Sequence, residues 1–549
     1  MVFVVKQKVY GKDYYYLRKS IREGQKIKSK CLGYLGKDKD EAYKKAEIII
    51  SKMEKGEKIE KGFSELKHQK ISIEELTNFC KRKGFVYPSA EIYGGLAGFW
   101  DFGHIGVELK NNIKNEWWNF FVRQREDVVG IDGSIITNPK VWKASGHVDN
   151  FSDIFVACKK CKKTDKIDKH EIGKVKCLNC GGEIDWEKIK EIEQMFKTNV
   201  GTDGFAYLRP ETAQLIFTNF KFVYENSRMK LPFGIAQIGK SFRNEIAPRD
   251  FLFRLREFEQ MEIEYFIDPE SGFPYELGKS KIFVYSEEMQ KSKKEPEKMS
   301  FNEAHKRGII KTDWHAYWLE QMFSWFKNLG ANTDKFRVRQ HVSDEKSHYA
   351  VDTWDLEYNF PFGWEEIQGV ANRGDYDLKQ HQKYSGKSME ISNSEGKKII
   401  PHVVAEPSQG VERAYLVFLF DAYNYDNKRD NVVLKLHPKL APIKAAIFPI
   451  VKKPEFEKIS QEIYDMLKDE WNVVQDKSGS IGRRYARNDE IGTPYCITID
   501  GDSLKNKDVT IRDRDTTKQI RVKIKDLKNV IRELINKDIE FEKAGELVK

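Results

Sequence analysis

PFGIAQIGKSFRNE (Pro232–Glu245) alternates apolar with small or polar residues, is followed by RDFLFR (Arg249–Arg254), and resumes in LREFEQMEIEYF (Leu255–Phe266). The spacing predicts a strand, a polar turn and a returning strand, because successive side chains of a strand point to opposite faces. Gln237, Gly239, Ser241, Arg243 and Glu245 then share one face. That face is too small and polar to be core. Arg249, Arg254 and Arg256 crowd the turn, and guanidinium forks hold phosphates in fixed geometry. The hairpin therefore reads as a grip for a polyphosphate, with a solvated hairpin carrying surface charge as the alternative.

Upstream, YGGLAGFWDFGHIG (93–106) leads into a helix on which Ile105, Leu109, Ile113 and Trp117 fall four apart, running to about Arg123. DVVGIDGSIITNPKVW (127–142) is strand-like and stopped by Pro139. Helix and strand together suit a dimer element or an internal helix equally. GTDGFAYLRPETAQLIFTNFKFV (201–223) predicts a strand, then a helix beginning near Pro210 with Glu211 in its first turn. Downstream, residues 271–335 read as a lysine-rich insertion with an amphipathic helix at WHAYWLEQMFSWFKNLG (314–330). Strand-like text returns at VDTWDLEYNF (351–360) and GWEEIQGVANRGDYDL (363–378), and VVAEPSQGVERAYLVFLFDAY (403–423) predicts a strand, a turn at Gly410 and an apolar helix.

The 549 residues exceed what one core holds. We expect an α+β architecture: a small β-rich module at 1–62, a core at 71–440 and a separate α/β domain at 441–549. Residues 54–70 read as a linker. In the last domain Arg483, Arg484, Arg487, Arg512, Arg514 and Arg521 suggest contact with a polyanion. The net charge of +10 suits a nucleic-acid partner without identifying one. Tyr14–Tyr16, set among lysines, could stack bases or serve half as core. No apolar run approaches the ~18 residues that span a bilayer, and MVFVVKQKVYGK does not read as a signal peptide, so no membrane partner and a cytoplasmic location are expected.

Cys158 and Cys161, then Cys177 and Cys180, form two CxxC units fifteen residues apart within 156–186. That spacing matches a four-cysteine structural Zn²⁺ ribbon, whose closed coordination leaves no position for catalysis.

FRNE with its arginine-bearing loop and REFEQME resembles the second signature motif of class II aminoacyl-tRNA synthetases. The helix ending before Pro139 resembles their first motif, and SQGVER (408–413) their third. RPETAQ, GWEE with GVANRGDYDL, AEPSQG, DTWD and LHPKLAPIKAAIFP narrow the resemblance to glycyl-tRNA synthetases of the single-chain homodimeric type, over roughly residues 72–545. The class II fold is an antiparallel sheet with flanking helices, carrying a C-terminal anticodon-binding domain. The first 62 residues look instead like a small hairpin module found near the start of some transposase-type proteins. His104–Ile105–Gly106 and Lys298–Met299–Ser300 echo class I motifs but break at Val107 and Phe301.

The resemblance implies ATP with Mg²⁺, glycine and tRNA(Gly) as ligands, a glycyl-adenylate intermediate, and no editing domain. It implies that Arg243 bridges the α-phosphate and the glycine carboxylate, with Arg413 as the second catalytic arginine. Glu245 would approach the adenine amino group, Phe258 and Arg413 would cover its two faces, and Arg254 would meet the triphosphate tail. Asn244, Phe253, Leu255, Arg256, Glu257, Ile367 and Gly410 complete the expected ATP site. Glu366 would take Mg²⁺, while Glu365 would point to the opposite face. Around glycine the resemblance sets Glu211, Phe258, Glu259, Gln260, Met261, Glu262, Glu406, Pro407, Ser408, Gln409 and Gly410, with carboxylates for the ammonium and walls too close for a methyl. Arg249 and the C-terminal domain are expected to meet tRNA. Where the family carries Arg-Ala-Asp-His, this chain has Lys166–Ile167–Asp168–Lys169. A non-catalytic RNA-binding or polymerase-accessory paralogue, and a ligase for another amino acid, are the competing readings.

Overall fold

The computed structural model describes residues 71–549 except 168–171, 178, 247, 344, 346–350 and 549, together with the strands between residues 2 and 36 and a few positions from 39 to 51. The expected linker at 54–70 lies outside the described residues, as does most of the helix expected after residue 40. Residues 1–72 and 73–549 are two separate compact units.

The first unit is an antiparallel sheet of β1 (Val2–Val9), β2 (Lys12–Glu23) and β3 (Lys26–Gly36), with β2 in the middle. Tyr15 and Leu17 on β2 are buried with Leu35, Ala42 and Ala46. Tyr15 is thus core, and the next aromatic, Tyr16, falls on the other face by alternation.

The second unit opens with α1 (Ile73–Lys83), then α2 (His104–Trp118). All four residues of the α2 stripe are buried within the chain, with Leu109, Ile113 and Trp117 fully so. That stripe is internal, and a second copy would have to meet another face of the helix. The glycine-rich approach has a steric reason: a Cβ on Gly106 would lie 1.8 Å from the Phe85 carbonyl oxygen. The expected strand after α2 is short, β4 (Val128–Ile131), and Pro139 opens a helical turn with Asn138 as its cap.

A nine-stranded sheet follows. Its strands are β4, β8 (Phe233–Phe242), β9 (Glu257–Ile267), β10 (Lys281–Tyr285), β11 (Glu297–Ser300), β12 (Phe336–Gln340), β13 (Asp352–Phe360), β14 (Gly363–Asn372) and β15 (His402–Gly410). β5 (Ser152–Cys158), β6 (Thr164–Ile167) and β7 (Ile184–Glu193) make a separate three-stranded sheet. The order across the large sheet is β11-β10-β12-β13-β14-β15-β9-β8-β4. Six of the eight pairings are antiparallel, and β10–β12 and β8–β4 are parallel.

One face of the sheet packs on α4 (Asp313–Asn328) and α6 (Val411–Ala422); α3 (Ala213–Ser227) precedes both in the chain and α5 (Tyr376–Ser385) lies between them. Eleven of the sixteen α4 residues are buried, including Trp314, Trp318 and Trp325. The stretch at 271–335 therefore does not stand apart as an insertion. It supplies two strands of the sheet and a core helix, each buried large side chain contributing about 1.5–3 kcal/mol. The amphipathic reading of α4 failed because its polar positions are few: only Asp313, Gln321, Ser324, Lys327 and Asn328 escape burial.

The C-terminal domain is a six-stranded mixed sheet of β16 (Ala445–Pro449), β17 (Val473–Gln475), β18 (Tyr495–Ile499), β19 (Asp508–Asp513), β20 (Gln519–Lys523) and β21 (Glu546–Leu547), with α7 (Pro454–Lys468), α8 (Ile481–Ile491) and α9 (Leu527–Asn536). Phe456, Ile463 and Leu467 on α7 are buried in its core. Most arginines expected to meet a polyanion are structural instead. Arg512 grips buried Asp489 through two bonds of 2.9 and 3.0 Å. Arg514 donates to the carbonyls of Gly492 and Leu436 and to Asp515, and Arg484 donates to the Pro449 carbonyl at 2.7 Å. Arg521 pairs with Asp500 and Asp508. Of the six, Arg483 and Arg487 are exposed, the latter paired with Asp476.

Candidate active site

The β8–β9 hairpin forms with Gln237 opposite Glu262, Gly239 opposite Gln260 and Ser241 opposite Phe258. β8 stops at Phe242, so Arg243, Asn244 and Glu245 belong to the loop. The small residues on the polar face have a purpose. Arg209, 1% exposed, lies across it and donates to the Lys240 and Gly133 carbonyls at 2.7 and 2.6 Å. A Cβ on Gly239 would sit 2.0 Å from that guanidinium.

Beyond Arg209 the sheet floors a cavity of about 470 Å³. The expected residues that line it are Glu211, Arg243, Glu245, Phe253, Arg254, Leu255, Phe258, Gln260, Glu262, Glu366, Ile367, Glu406, Ser408, Gly410 and Arg413. Asn244, Arg256, Glu257, Glu259, Met261, Pro407 and Gln409 are not among the lining. Strand alternation explains four of these: Met261 and Gln409 face each other across β9 and β15 on the helix side, Pro407 shares that side, and Glu257 sits at the strand's end paired with exposed Lys240. Glu259 is held by Lys110 and Lys114 from α2. Arg256 donates to the carbonyls of Glu245 and Ala97, and the Asn244 amide to the Gln194 carbonyl. Arg256 and Asn244 brace the loop.

At one end of the cavity, the Arg243 guanidinium lies 5.4 Å from the Phe258 ring and its Nε donates to the Pro210 carbonyl at 3.1 Å. Arg413 stacks on Phe253 at 4.6 Å, and donates to the Glu366 carbonyl at 2.8 Å and its carboxylate at 3.2 Å. Arg254 pairs with Glu245 at 2.8 Å. Burial acts to raise the Glu366 carboxyl, but Arg413 and His341 hold it below the usual range. Glu365, expected to point away, also lines the cavity. The strand is irregular here: Glu366 pairs with Glu357 and Gln368 with Leu356, so Ile367 is a bulged extra residue. Mg²⁺ takes one or two carboxylates plus phosphate oxygens, and Glu366 with neighbouring Asp355 offers that donor set.

The other end is acidic and deep. Glu211 does not start a helix: α3 begins at Ala213, and Arg209–Pro210–Glu211 is pinned ahead of it by the bonds to Arg209 and Pro210. Glu211 instead meets His147 at 3.2 Å and accepts from Gln214 at 3.1 Å. Gln214 donates onward to Asp377, Asp377 grips Arg373 through bonds of 2.7 and 2.9 Å, and Arg373 reaches Glu406 at 2.8 Å. Thr212 donates to Glu262, while Gln260 donates to Ser408 at 3.1 Å.

Glu262, Glu264 and Glu406 bring carboxylate oxygens within 4.8 Å of one another, all buried. Glu264 is wholly buried and neither of its oxygens has a hydrogen-bond partner among the described residues. Like charges this close cannot all ionise out of water. Burial, with Glu262 and Glu211 nearby, pushes Glu406 up to about 8. Burial and Glu406 raise Glu264 well above the carboxylate range. Burial would raise Glu211 too, but His147, Arg373 and Arg243 overcome it and hold that carboxyl far down.

Sequence reading missed His341, Thr353, Asp355, Glu264 and Arg373. His341 meets Asp355 at 2.7 Å, and burial with Glu366 nearby pushes Asp355 up to about 6. DTWD and VANRGD contained Asp355 and Arg373; strand pairing puts Asp355 in the cavity lining, while Arg373 lies just past β14 and binds Asp377 and Glu406. Lys166 and Ile167 lie on β6, away from the cavity, and Asp168 and Lys169 fall outside the described residues. Neither class I echo lines the cavity.

In the three-stranded β5–β7 sheet, Cys158, Cys161, Cys177 and Cys180 bring their sulfurs within 4.8 Å of one another, with Cys158–Cys180 and Cys161–Cys177 at 3.6 Å. A tetrahedral ion with ~2.3 Å Zn–S bonds spaces its sulfurs about 3.8 Å apart, so the four thiols fit Zn²⁺. The Cys161 amide at 3.4 Å from the Cys158 sulfur, and the Gly181 amide bonded to the Cys177 carbonyl, are the tight turns such knuckles need.

Residues 444–534 match the family described as Anticodon binding domain. Among curated proteins, the glycine–tRNA ligase of Borrelia hermsii is 42% identical over 478 residues, covering 85% of this chain and 98% of the relative. That of Clostridium kluyveri is 44% identical over 499 residues, covering 84% and 98%, and that of Treponema denticola 40% over 473 residues, covering 83% and 96%. These relatives are matched almost end to end and leave about one-seventh of this chain over.

Two outcomes follow from this geometry. Purified protein should carry one zinc per chain by elemental analysis, and Cys177→Ser should carry none; unchanged zinc content in the variant would remove the ribbon assignment. For Glu264 the sign is fixed by a folded pKa raised above the unfolded one. Its contribution is fully present below the ordinary carboxyl range and is lost as pH rises, by at most about 1.4 kcal/mol per pH unit. Glu264→Gln should therefore gain stability relative to the parent between about pH 5 and pH 8, read as a growing difference in Tm. A pH-independent difference contradicts a neutral Glu264.

Proposed function

The chain belongs to the glycine–tRNA ligase family, and from that premise we propose that this cavity joins glycine to ATP and passes it to tRNA(Gly). The protein is a class II aminoacyl-tRNA synthetase. The observation that carries the site assignment is the junction at Arg243, with aromatic and arginine side chains on one side and the deep carboxylate pocket on the other.

In the first step a glycine carboxylate oxygen attacks the α-phosphorus of ATP, and pyrophosphate leaves with the electron pair of the broken P–O bond. No covalent bond to the protein is needed, so positioning and charge neutralisation carry the catalysis. Arg243 holds the α-phosphate and the attacking carboxylate together. Arg413 and Arg254 hold the adenine and the phosphate tail, exchanging their present partners Glu366 and Glu245 for the nucleotide. Mg²⁺ arriving with ATP, held at Glu366, would neutralise charge building on the pyrophosphate.

The ammonium enters among Glu211, Glu262 and Glu406, where an excess of buried carboxyls awaits one cation. Ser408 and the Thr212–Glu262 bond close the wall beside the α-carbon, and steric exclusion of a methyl sets the choice of glycine over alanine. In the second step the 3′-hydroxyl of the terminal adenosine attacks the carbonyl carbon and AMP departs. Residues 444–534 are read as the anticodon contact, with Arg483 and the Asp476-paired Arg487 as the exposed arginines of the six.

The chain is further read as a cytoplasmic homodimer. No helix among the described residues is long and apolar enough to cross a membrane. Ile92 and Tyr93 are 88% and 87% exposed, apolar surface that a second copy would cover. Sedimentation should give twice the chain mass at micromolar concentration, and a single-chain mass there removes the dimer.

Glycine-dependent exchange of pyrophosphate into ATP tests the central reading. Arg243→Ala should lower kcat by about 10²–10³-fold, the loss seen when one preorganised charge donor is removed. Alanine should support no measurable exchange. Absence of exchange with glycine in the parent protein, or equal exchange with alanine, would overturn the assignment.

A further inference from the structure

Gln214 and His381 stand behind the carboxylate pocket, outside the lining of the cavity, and neither step of the reaction calls on them directly. Spacing along the chain puts them there. Gln214 is the second residue of α3, just past the pinned turn that carries Glu211. On α5 the buried residues are Asp377, Leu378 and His381, a stripe that turns Asp377 and His381 to the same side one turn apart. Gln214 lies against both. It is fully buried and His381 is 4% exposed, so each polar atom here must find its partner inside the protein.

Three hydrogen bonds then leave one arrangement. The Gln214 nitrogen lies 3.1 Å from a Glu211 oxygen and 2.9 Å from an Asp377 oxygen. Both oxygens can only accept: burial would raise the Glu211 carboxyl, but His147, Arg373 and Arg243 keep it far down, and both Asp377 oxygens already take donors from Arg373. The two amide hydrogens are therefore committed, and the amide cannot be reversed without setting its oxygen against two carboxylates. That oxygen faces the His381 Nε2 at 2.8 Å, so the ring nitrogen must carry the hydrogen. Burial, opposed by Asp377 and reinforced by Arg373, pushes the imidazole down to about 4. At neutral pH the ring thus holds a single hydrogen, and the bond fixes it on Nε2.

Without that donor the buried amide oxygen has no partner, and Gln214 is free to turn. Glu211 then loses the bond to one of its oxygens while His147 holds the other. The angle of the Glu211 carboxylate to the cavity is what depends on His381, two bonds away.

We propose that His381 is a positioning residue for amino-acid recognition: by donating to Gln214 it locks the amide that holds Glu211 toward the ammonium group of the substrate. That the ammonium is glycine's rests on the ligase reading above; the lock on Glu211 does not.

The test uses the full-length protein with His381→Leu, His381→Gln, Gln214→Leu and the double variant His381→Leu/Gln214→Leu. In pyrophosphate exchange His381→Leu should raise KM for glycine about tenfold, the effect of losing a buried hydrogen bond in a charged network, while kcat and KM for ATP hold. His381→Gln offers an amide N–H near the Nε2 position and should restore most of the loss. Because His381 acts through Gln214, the double variant should be no worse than Gln214→Leu alone, a non-additivity that independent packing defects do not give. NMR with isotopically labelled histidine should show His381 neutral and protonated on Nε2 at neutral pH. Unchanged KM for glycine in His381→Leu, parallel rises for glycine and ATP, additive losses, or an imidazole that is charged or protonated on Nδ1 each overturn the proposal. If the parent protein shows no glycine-dependent exchange, the ligase reading fails and with it the ammonium's identity, and the imidazole signal then decides the lock by itself.

Discussion

One buried guanidinium keeps the centre of this protein from flying apart. Arg373 is 1% exposed and faces Asp377, Glu406, Glu262 and Glu264, with Glu211 one hydrogen-bonded residue beyond. Removing one partner of a buried ion pair strands the other charge, so the arrangement is fixed on all sides. β9 contributes two carboxylates, and β15, the turn ahead of α3 and the start of α5 contribute one each, so the fold must bring all five together. A pocket with more buried carboxyls than cations is stable only while protons make up the difference.

The phosphate side of the cavity follows from a different constraint. Arg209 lies flat across the hairpin, which is why β8 carries glycine and serine where a strand would ordinarily carry bulk. That single side chain props the loop ahead of α3, which in turn gives Arg243 a carbonyl to rest on. Arg243 is thus positioned by a backbone oxygen and an aromatic ring, while Arg413 and Arg254 also lean on the Glu366 and Glu245 carboxylates.

Much of this was legible in the chain. Period-two alternation from Pro232 to Phe266 marked the hairpin, the four-residue spacing from Ile105 to Trp117 marked a helix without saying whether its stripe faces the interior or a second copy, and two CxxC units marked the sulfur cluster. What alternation could not supply was which neighbours in a motif point inward. Glu259, Met261 and Gln409 sit within motifs around the cavity yet serve the helix layer or an ion pair. The bulge at Ile367 broke the alternation that would have sent Glu365 away. Arginine-rich text in the last domain suggested an outer surface, but Arg484, Arg512 and Arg514 close the domain's interior, because cross-chain partners such as Asp489 and the Leu436 carbonyl are invisible to a local reading.

Lys110 ties these parts together. From α2 it reaches Glu259 on β9 and Glu412 at the start of α6, at 2.6 and 2.7 Å, and the Glu412 carboxylate accepts the Glu259 amide at 3.0 Å. Phe258 and Arg413 are the immediate chain neighbours of those two acids. A sideways shift of α2 by a fraction of an ångström therefore has a mechanical route to the two groups that would flank a nucleobase. Whatever leans on the outer side of that helix holds a lever on how well the enzyme grips its fuel.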